Sequence, residues 1–500
     1  MQSQRMLFVV SFKLTKYALS FIFFYLMVLL YEPKVIGTVQ FVIAFVSIFS
    51  FIFNLGFSIA HLKIYPEEEN KSACIGTLLT YKTFFILISL FFYFSLLSLM
   101  NLEGILRTIM LIFIFDQIIQ GINSSISNIL IADNKVLKGT FPWIIVSLSK
   151  IILLSIGLFF FTLNELNLSY IYFISSLFHT GFLLIFIVPY RVKLPTRDLL
   201  KKYFTYTYPI GFSSMVLLLS NNIGIILINL WVSAEAVAFY YAGDHLSVFR
   251  TIIPNVVSLI MVSVFSKNIK EKNLEKNNQI IKNLSKYFCI LWGGIILISL
   301  LYSDEIIIIF LSETYRPSVF VFNILILTHI IVINDIGIYT DLNARGLTKL
   351  FSVIKIIGEV YNIILIFLFI APFGLNLGIN GLALSILFRY LTYTPIVRFY
   401  LWKKYNYSYN FEIFLYLLAA FIVYLVNIMF ASEIDFISHF YLIPVFVVIN
   451  VILYLGILYI FRCLKKEDFI YLRTFLNIKS LINLFYEDLA QKNDIYRNES

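Results

Sequence analysis

Apolar residues run through this chain in fourteen long blocks, at roughly 12–30, 36–60, 75–99, 108–131, 140–163, 170–190, 206–230, 236–265, 286–302, 317–338, 348–371, 380–401, 411–430 and 440–461. A helix of about 20 apolar residues crosses the hydrocarbon layer of a membrane. The pattern therefore predicts an all-α polytopic membrane protein of about fourteen transmembrane helices. Polar residues inside the blocks are not scattered. Asp116, Gln120, Asn123 and Ser127 recur at helical spacing and share one face of the fourth block. The eighth repeats this with Asp244, Ser247, Thr251, Asn255 and Ser258, beside Arg250. Weaker stripes are Ser47, Ser50, Asn54 and Ser58 in the second block, Ser213, Ser214, Ser220 and Asn221 in the seventh, and Lys355, Glu359 and Asn362 in the eleventh. Single Ser, Thr or Asn residues usually bond a neighbouring helix. Four or five in register predict a face turned to water or to protein, away from lipid.

Composition agrees with this pattern. The chain is 60% hydrophobic and 13% charged, with a mean hydropathy of +0.90, which excludes a soluble globular protein of ordinary composition. The net charge of +10 does not point to nucleic acid, because it has a topological cause. Of 38 Lys and Arg residues, thirty fall on one side of the threaded chain, and only Lys34, Arg107 and Arg316 on the other. Basic loops stay cytoplasmic, so both termini are expected in the cytoplasm of a bacterial or archaeal cell, with a basic face against anionic lipid. The first apolar block lacks a small-residue cleavage site and reads as an anchor. Cys74, Cys289 and Cys463 form no metal-like or disulfide-like spacing. No phosphate-binding loop, metal cluster or nucleophile motif is present, so neither an enzyme, a metal nor a cofactor is expected.

Lys13, Lys16, Lys286, Lys349 and Arg398, near block ends, count with the cytoplasmic termini and loops, and five cations remain deeper inside blocks: Lys82, Lys150, Arg250, Lys355 and Arg389. Each costs about 2.5–3.5 kcal/mol on insertion scales unless it is paired. Lys82 lies near its basic end and is expected to snorkel out. Lys355 is expected to pair with Glu359 one turn on, and Arg250 with Asp244 or Asp116. Arg250, Arg389 and Lys150 are the candidates to hold an anionic group, arginine being suited to phosphate by its planar fork. Pro142, Pro209 and Pro254 are expected to kink their helices, and His245 and His329 to be packed and neutral.

A weak internal repeat aligns Lys34-Val35-Ile36-Gly37 with Glu235-Ala236-Val237-Ala238, and the turn after Ala132 with that after Ala344. Duplicated halves with a site between them are a common transporter plan. The expected organisation is a lobe of six helices over 1–205, a second over 206–405, two added helices over 406–466, and an amphipathic tail over 467–500.

Short motifs follow the same order. Tyr31-Glu32-Pro33-Lys34-Val35-Ile36-Gly37 precedes the second block, Asn54-Leu55-Gly56-Phe57 ends it, Ala238-Phe239-Tyr240-Tyr241-Ala242 opens the eighth and Gly378-Ile379-Asn380-Gly381-Leu382-Ala383 the twelfth. In this the chain resembles polysaccharide flippases of O-antigen type in the multidrug/oligosaccharidyl-lipid/polysaccharide (MOP) superfamily. Tyr31 and Ala238 depart from the family's usual Leu or Phe and Gly. The resemblance implies a polyprenyl-diphosphate-linked oligosaccharide moved from the cytoplasmic to the external leaflet, with membrane lipids and other polysaccharide-assembly proteins as partners. The buried polar residues fit this: Arg250, Arg389 and Lys150 are expected at the diphosphate or at acidic sugars, Asp116, Gln120, Asn123, Asn221, Asp244 and Asn255 along the path, and Glu359 with Lys355 at coupling to a Na+ or H+ gradient or the membrane potential. The alternatives are a cation-coupled drug exporter of the same superfamily, which would want an acidic cavity, and a membrane polymerase, which would want a large external loop.

Overall fold

The computed structural model describes residues 2–53, 55–100, 103–160, 162–407, 412–431, 440–464 and 468. The expected tail over 467–500 lies almost wholly outside them, as do the side chains of 249–256. Among the described residues the chain forms seventeen α-helices and no strand. They are α1 (Gln2–Leu30), α2 (Pro33–Phe53), α3 (Phe57–Glu67), α4 (Lys71–Leu99), α5 (Gly104–Ala132), α6 (Val136–Thr140), α7 (Pro142–Phe160), α8 (Glu165–Ile187), α9 (Arg197–Trp231), α10 (Ala234–Leu246), α11 (Phe249–Lys270), α12 (Leu274–Leu311), α13 (Ser318–Ala344), α14 (Thr348–Ile370), α15 (Gly378–Tyr405), α16 (Ile413–Ala431) and α17 (Ile443–Ile460). Eleven helical segments are long and apolar enough to cross a membrane. The other three expected blocks correspond to α10 with α11, to α15 and to the shorter α16. In lipid every backbone polar group needs an internal partner, which a helix supplies and an open strand does not.

Polar loop residues start several helices. The side chains of Asn70, Asn164, Thr196, Ser233 and Asn273 accept hydrogen bonds from the N–H groups of Ala73, Asn167, Leu199, Ala236 and Lys276, satisfying donors that the first turn leaves open. Several expectations are corrected. Blocks two and eight are not continuous helices: the second divides into α2 and α3 and the eighth into α10 and α11. The basic loop over 267–286 is mostly helix, with only 271–273 between α11 and α12. The ninth block ends near 302, yet α12 runs on to Leu311, with a kink at Tyr302. Pro142 opens α7 and does not kink it, because the first helical turn needs no N–H there.

Helices α1 to α8 pack mainly on one another, and α10 to α15 form a second bundle with α9 beside both. Helices α16 and α17 rest on α12. The bundles meet where α2 lies against α9 and α10. They approach closely at Gly37: a Cβ there would lie 1.7 Å from the Ala234 carbonyl oxygen. Ala238 and Ala242 are fully buried on the same seam. The sequence motifs around Tyr31–Gly37 and Ala238–Ala242 are thus the small and packed residues that let two helices touch.

Both bundles close their basic ends on a carboxylate. Asp133, just past α5, accepts from Tyr190 at 2.6 Å and pairs with Lys135 at 2.8 Å. Burial works against the Asp133 charge, but hydrogen bonds from Lys135 and Tyr190 hold its carboxyl below the ordinary value. Asp341 at the end of α13 accepts from Tyr407 at 2.5 Å, Asn277 at 2.7 Å and Arg345 at 2.7 Å. Each tyrosine lies just beyond the last helix of its bundle, α8 or α15. The same device at corresponding places gives the weak internal repeat a physical form.

Gly37→Ala must push α2 from α10, whereas a Cβ at Gly181 in α8 meets nothing within 4 Å. Gly37→Ala is expected to lower the thermal midpoint of the purified protein by several degrees. Gly181→Ala should leave it unchanged or raise it, since Ala outperforms Gly by about 0.5–1 kcal/mol in a helix. Scanning fluorimetry of both variants checks this.

Candidate functional site

The chain unwinds between α2 and α3 inside the first bundle. Gly56 adopts φ 92° there and caps α3 without a side chain, a conformation that a Cβ would strain. Unwound backbone needs partners other than its own helix, and here Gly56 lines a cavity. A cavity of about 350 Å³ is bounded by Gly56, Ser58, Gln117, Gln120, Gly121, Ser124, Asn128, Trp143 and Ser214, with Ile59 completing the wall. Among the described residues no charged side chain lines it. Trp143 is held by the Lys16 ammonium, 4.7 Å from the ring centroid, and by the His179 ring at 4.5 Å.

Two rows of polar residues run along α5, rotated by one position. The row of Asp116, Asn123 and Ser127 is buried, each at most 3% exposed. Asn123 donates to the Ser176 carbonyl at 3.2 Å and accepts from Thr180 at 3.0 Å, so it joins α5 to α8. The row of Gln117, Gln120, Ser124 and Asn128 lines the cavity. Gln120 connects the rows, donating to Asp116 Oδ2 at 2.7 Å. The other Asp116 oxygen is buried with no hydrogen-bond partner among the described residues.

Lys150 of α7 lies near Asp116 and is held by rings. Its Nζ is 3.7 Å from the Tyr172 centroid and 5.5 Å from that of Phe23. No carboxylate lies within ion-pair distance of it among the described residues. Such cation–π contacts gain strength where water is excluded. The cluster continues across the seam, where Phe24 of α1 packs on Tyr241 at 5.8 Å and His245 at 4.9 Å, both of α10. His245 and His329 are packed against rings, the latter 4.8 Å from Trp292.

The second bundle holds a different arrangement. A cavity of about 210 Å³ is lined by Asp335, Lys355, Glu359 and Arg389 among aromatic residues. Arg389 of α15 donates to Glu359 of α14 at 2.5 Å. The expected Lys355–Glu359 pair is therefore corrected: the guanidinium of the neighbouring helix takes the carboxylate. Lys355 Nζ lies 4.8 Å from the Phe351 ring. Arg398, read from sequence as a loop residue, is buried on α15 and pairs with Asp335. Lys82, expected to reach the surface, is 3% exposed and packed inside protein. Asn221 is exposed and lines neither cavity, while neighbouring Ser220 accepts from Asn362 at 2.9 Å. Asp244 is half-buried in the last turn of α10. The side chains of Arg250 and Asn255 lie outside the described residues.

A family model described as "Polysaccharide biosynthesis protein" matches residues 4–266, more than half of the chain. The chain belongs to this family. Its fold is that of a lipid II flippase, MurJ, solved in an inward-closed conformation, at a TM-score of 0.75, 16% identity and coverage of 93% of this chain and 100% of that one. An inward-facing multidrug resistance MATE family transporter of the MOP superfamily matches at 0.63 and 14% identity, over 77% and 93% of the two chains. A MOP superfamily transporter from Pyrococcus furiosus, whose binding pocket is described as reversed in polarity, matches at 0.55 and 15%, over 80% and 95%. At these identities the likeness establishes the MOP fold. A comparison with curated proteins gave no match.

Removing one partner of a buried ion pair costs about 3–5 kcal/mol, because the other charge is stranded. Glu359→Gln is expected to lower the melting temperature clearly, with Arg389 and Lys355 left facing each other. Arg389→Gln/Glu359→Gln should recover part of that loss. A double-mutant cycle by thermal unfolding checks the coupling.

Proposed function

We propose that the protein translocates a polyprenyl-diphosphate-linked oligosaccharide, a repeat unit of O-antigen or of a capsular or exopolysaccharide, from the cytoplasmic to the external leaflet. The observation that carries this reading is Lys150. It is a mid-span cation of the first bundle held by the aromatic faces of Tyr172 and Phe23, with no carboxylate within ion-pair distance among the described residues. Arg398, Arg345 and Arg389, by contrast, are each neutralised by a close acid. A cation held by ring quadrupoles stays available to an anion. Membership of a polysaccharide biosynthesis family supports a glycan cargo. The diphosphate binds Lys150 with Arg250, while the lipid tail stays in the membrane.

The same pairings weigh against a cationic drug. Asp335, Asp341 and Glu359 are each occupied by an arginine, so these acids do not form the acidic cavity that a cation exporter needs. Motion is alternating access, the bundles rocking about the α2–α10 seam. Glu359 serves coupling to an ion gradient: its second oxygen is buried without a hydrogen-bond partner among the described residues, and Lys355 adjoins it. The first bundle corresponds to 1–205, the second to 206–405, and the basic loops face the cytoplasm.

Lys150→Met is expected to abolish surface glycan at an unchanged level of membrane-inserted protein, and Lys150→Arg to retain it at least in part. Glycan staining with quantitative immunoblotting of membranes reads both. Wild-type export by Lys150→Met would overturn the role of Lys150.

A further inference from the structure

The cavity at the α2–α3 break differs in kind from the charged places nearby. Its polar lining consists of carboxamides and hydroxyls, Gln117, Gln120, Ser124, Asn128 and Ser214, together with the indole of Trp143. A carboxamide offers both donors and acceptors in one planar group, and a serine hydroxyl does either. This mixture suits a ligand that is itself densely covered with groups acting as both. An apolar ring edge suits the C–H face of such a ligand. With no cation in its wall among the described residues, and Lys16 turned to the Trp143 ring, the cavity offers a phosphate no direct ion pair to repay its desolvation. Without an acid it has nothing for an amine.

We infer that this cavity is a subsite for an uncharged sugar, separate from the cations that take the diphosphate. The inference rests on the proposed function and specifies where the glycan end of that substrate lies. The volume of about 350 Å³ is at the low end of small-molecule sites, so it takes the part of the glycan next to the lipid and not the whole chain. The hydrogen-bonding groups are already oriented. Asn128 donates to the Ser124 carbonyl at 2.8 Å, leaving its own carbonyl oxygen for a hydroxyl. Gln120 spends one donor on Asp116 and keeps a second donor and its carbonyl. Asp116 also links the subsite to Lys150, which acts on its charge. Sugar and diphosphate are thereby read at neighbouring places on one bundle. Ser214 comes from α9, which lies against both bundles, so a movement of α9 opens or reshapes the subsite.

The test uses the full-length protein in detergent and two probes: polyprenyl diphosphate, and polyprenyl diphosphate bearing a single N-acetylglucosamine. Quantitative native mass spectrometry gives both affinities for the wild type, for Gln117→Leu, which removes a carboxamide, and for Ser214→Phe, which fills the space. Binding of the bare lipid doubles as the folding control. The expected result is that each variant binds the sugar-bearing lipid about tenfold more weakly, the loss of a hydrogen bond or two, and the bare lipid as the wild type does. A wild type that gains nothing from the sugar overturns the subsite alone. So do variants that lose both ligands equally, or neither. A wild type that binds neither lipid overturns the proposed function, and the subsite with it.

Discussion

An ionised side chain inside a hydrocarbon layer must find its stabilisation within the protein, and the interior of this one is arranged around that requirement. Three of the acids in or at the ends of the second bundle's helices are matched to arginines: Asp335 to Arg398, Glu359 to Arg389 and Asp341 to Arg345. Each match crosses between helices or closes a helix end, so the charges that would be costly alone also fix how α13, α14 and α15 pack. The first bundle solves the problem differently. Its Asp116 leans on Gln120, and Lys150 rests on Tyr172 and Phe23. Arginine pairs are rigid and self-contained. A lysine on an aromatic face gives up little when an anion arrives. The asymmetry is in the acids: the second bundle matches Asp335, Glu359 and Asp341 to arginines, whereas Asp116 of the first accepts from a carboxamide.

The bundles can approach because the seam is built from small residues. Without a hydrophobic drive between helices in lipid, association depends on close packing. Gly37 against Ala234, with Ala238 and Ala242 nearby, provides it. The break between α2 and α3 follows from the same logic. Unwinding exposes backbone groups that a cavity can accommodate, and the polar wall of that cavity comes from α3, α5, α7 and α9. Seam and cavity both involve the second block of the sequence, which ties what holds the bundles together to what would contact a substrate.

Much of this was legible in the chain. The apolar blocks gave the helices, while the motifs at Tyr31–Gly37 and Ala238–Ala242 carried only the resemblance, and the structure places them at the seam. The polar face of α5 was seen but placed one position off. Asp116, Asn123 and Ser127 are as well spaced as Gln117, Ser124 and Asn128, and spacing cannot tell a face that bonds the next helix from a face that meets open space. Asn123 went to α8, and the cavity took its neighbours. Arg398 was misplaced because a charge near the end of an apolar block looks the same whether the helix stops before it or carries it inward.

The sequence by itself determined what is local and additive: which stretches are apolar enough to be helices, the strong imbalance of basic residues across the threaded chain, and which capping residues begin a helix. Tertiary structure decided what depends on a partner from elsewhere. It assigned Glu359 to Arg389 in place of Lys355, broke the second and eighth blocks, and gathered residues from α3, α5, α7 and α9 around one cavity. The physical reason is that pairing energy falls off within a few ångströms. Which charges neutralise each other is therefore set by how helices distant in sequence come to lie side by side.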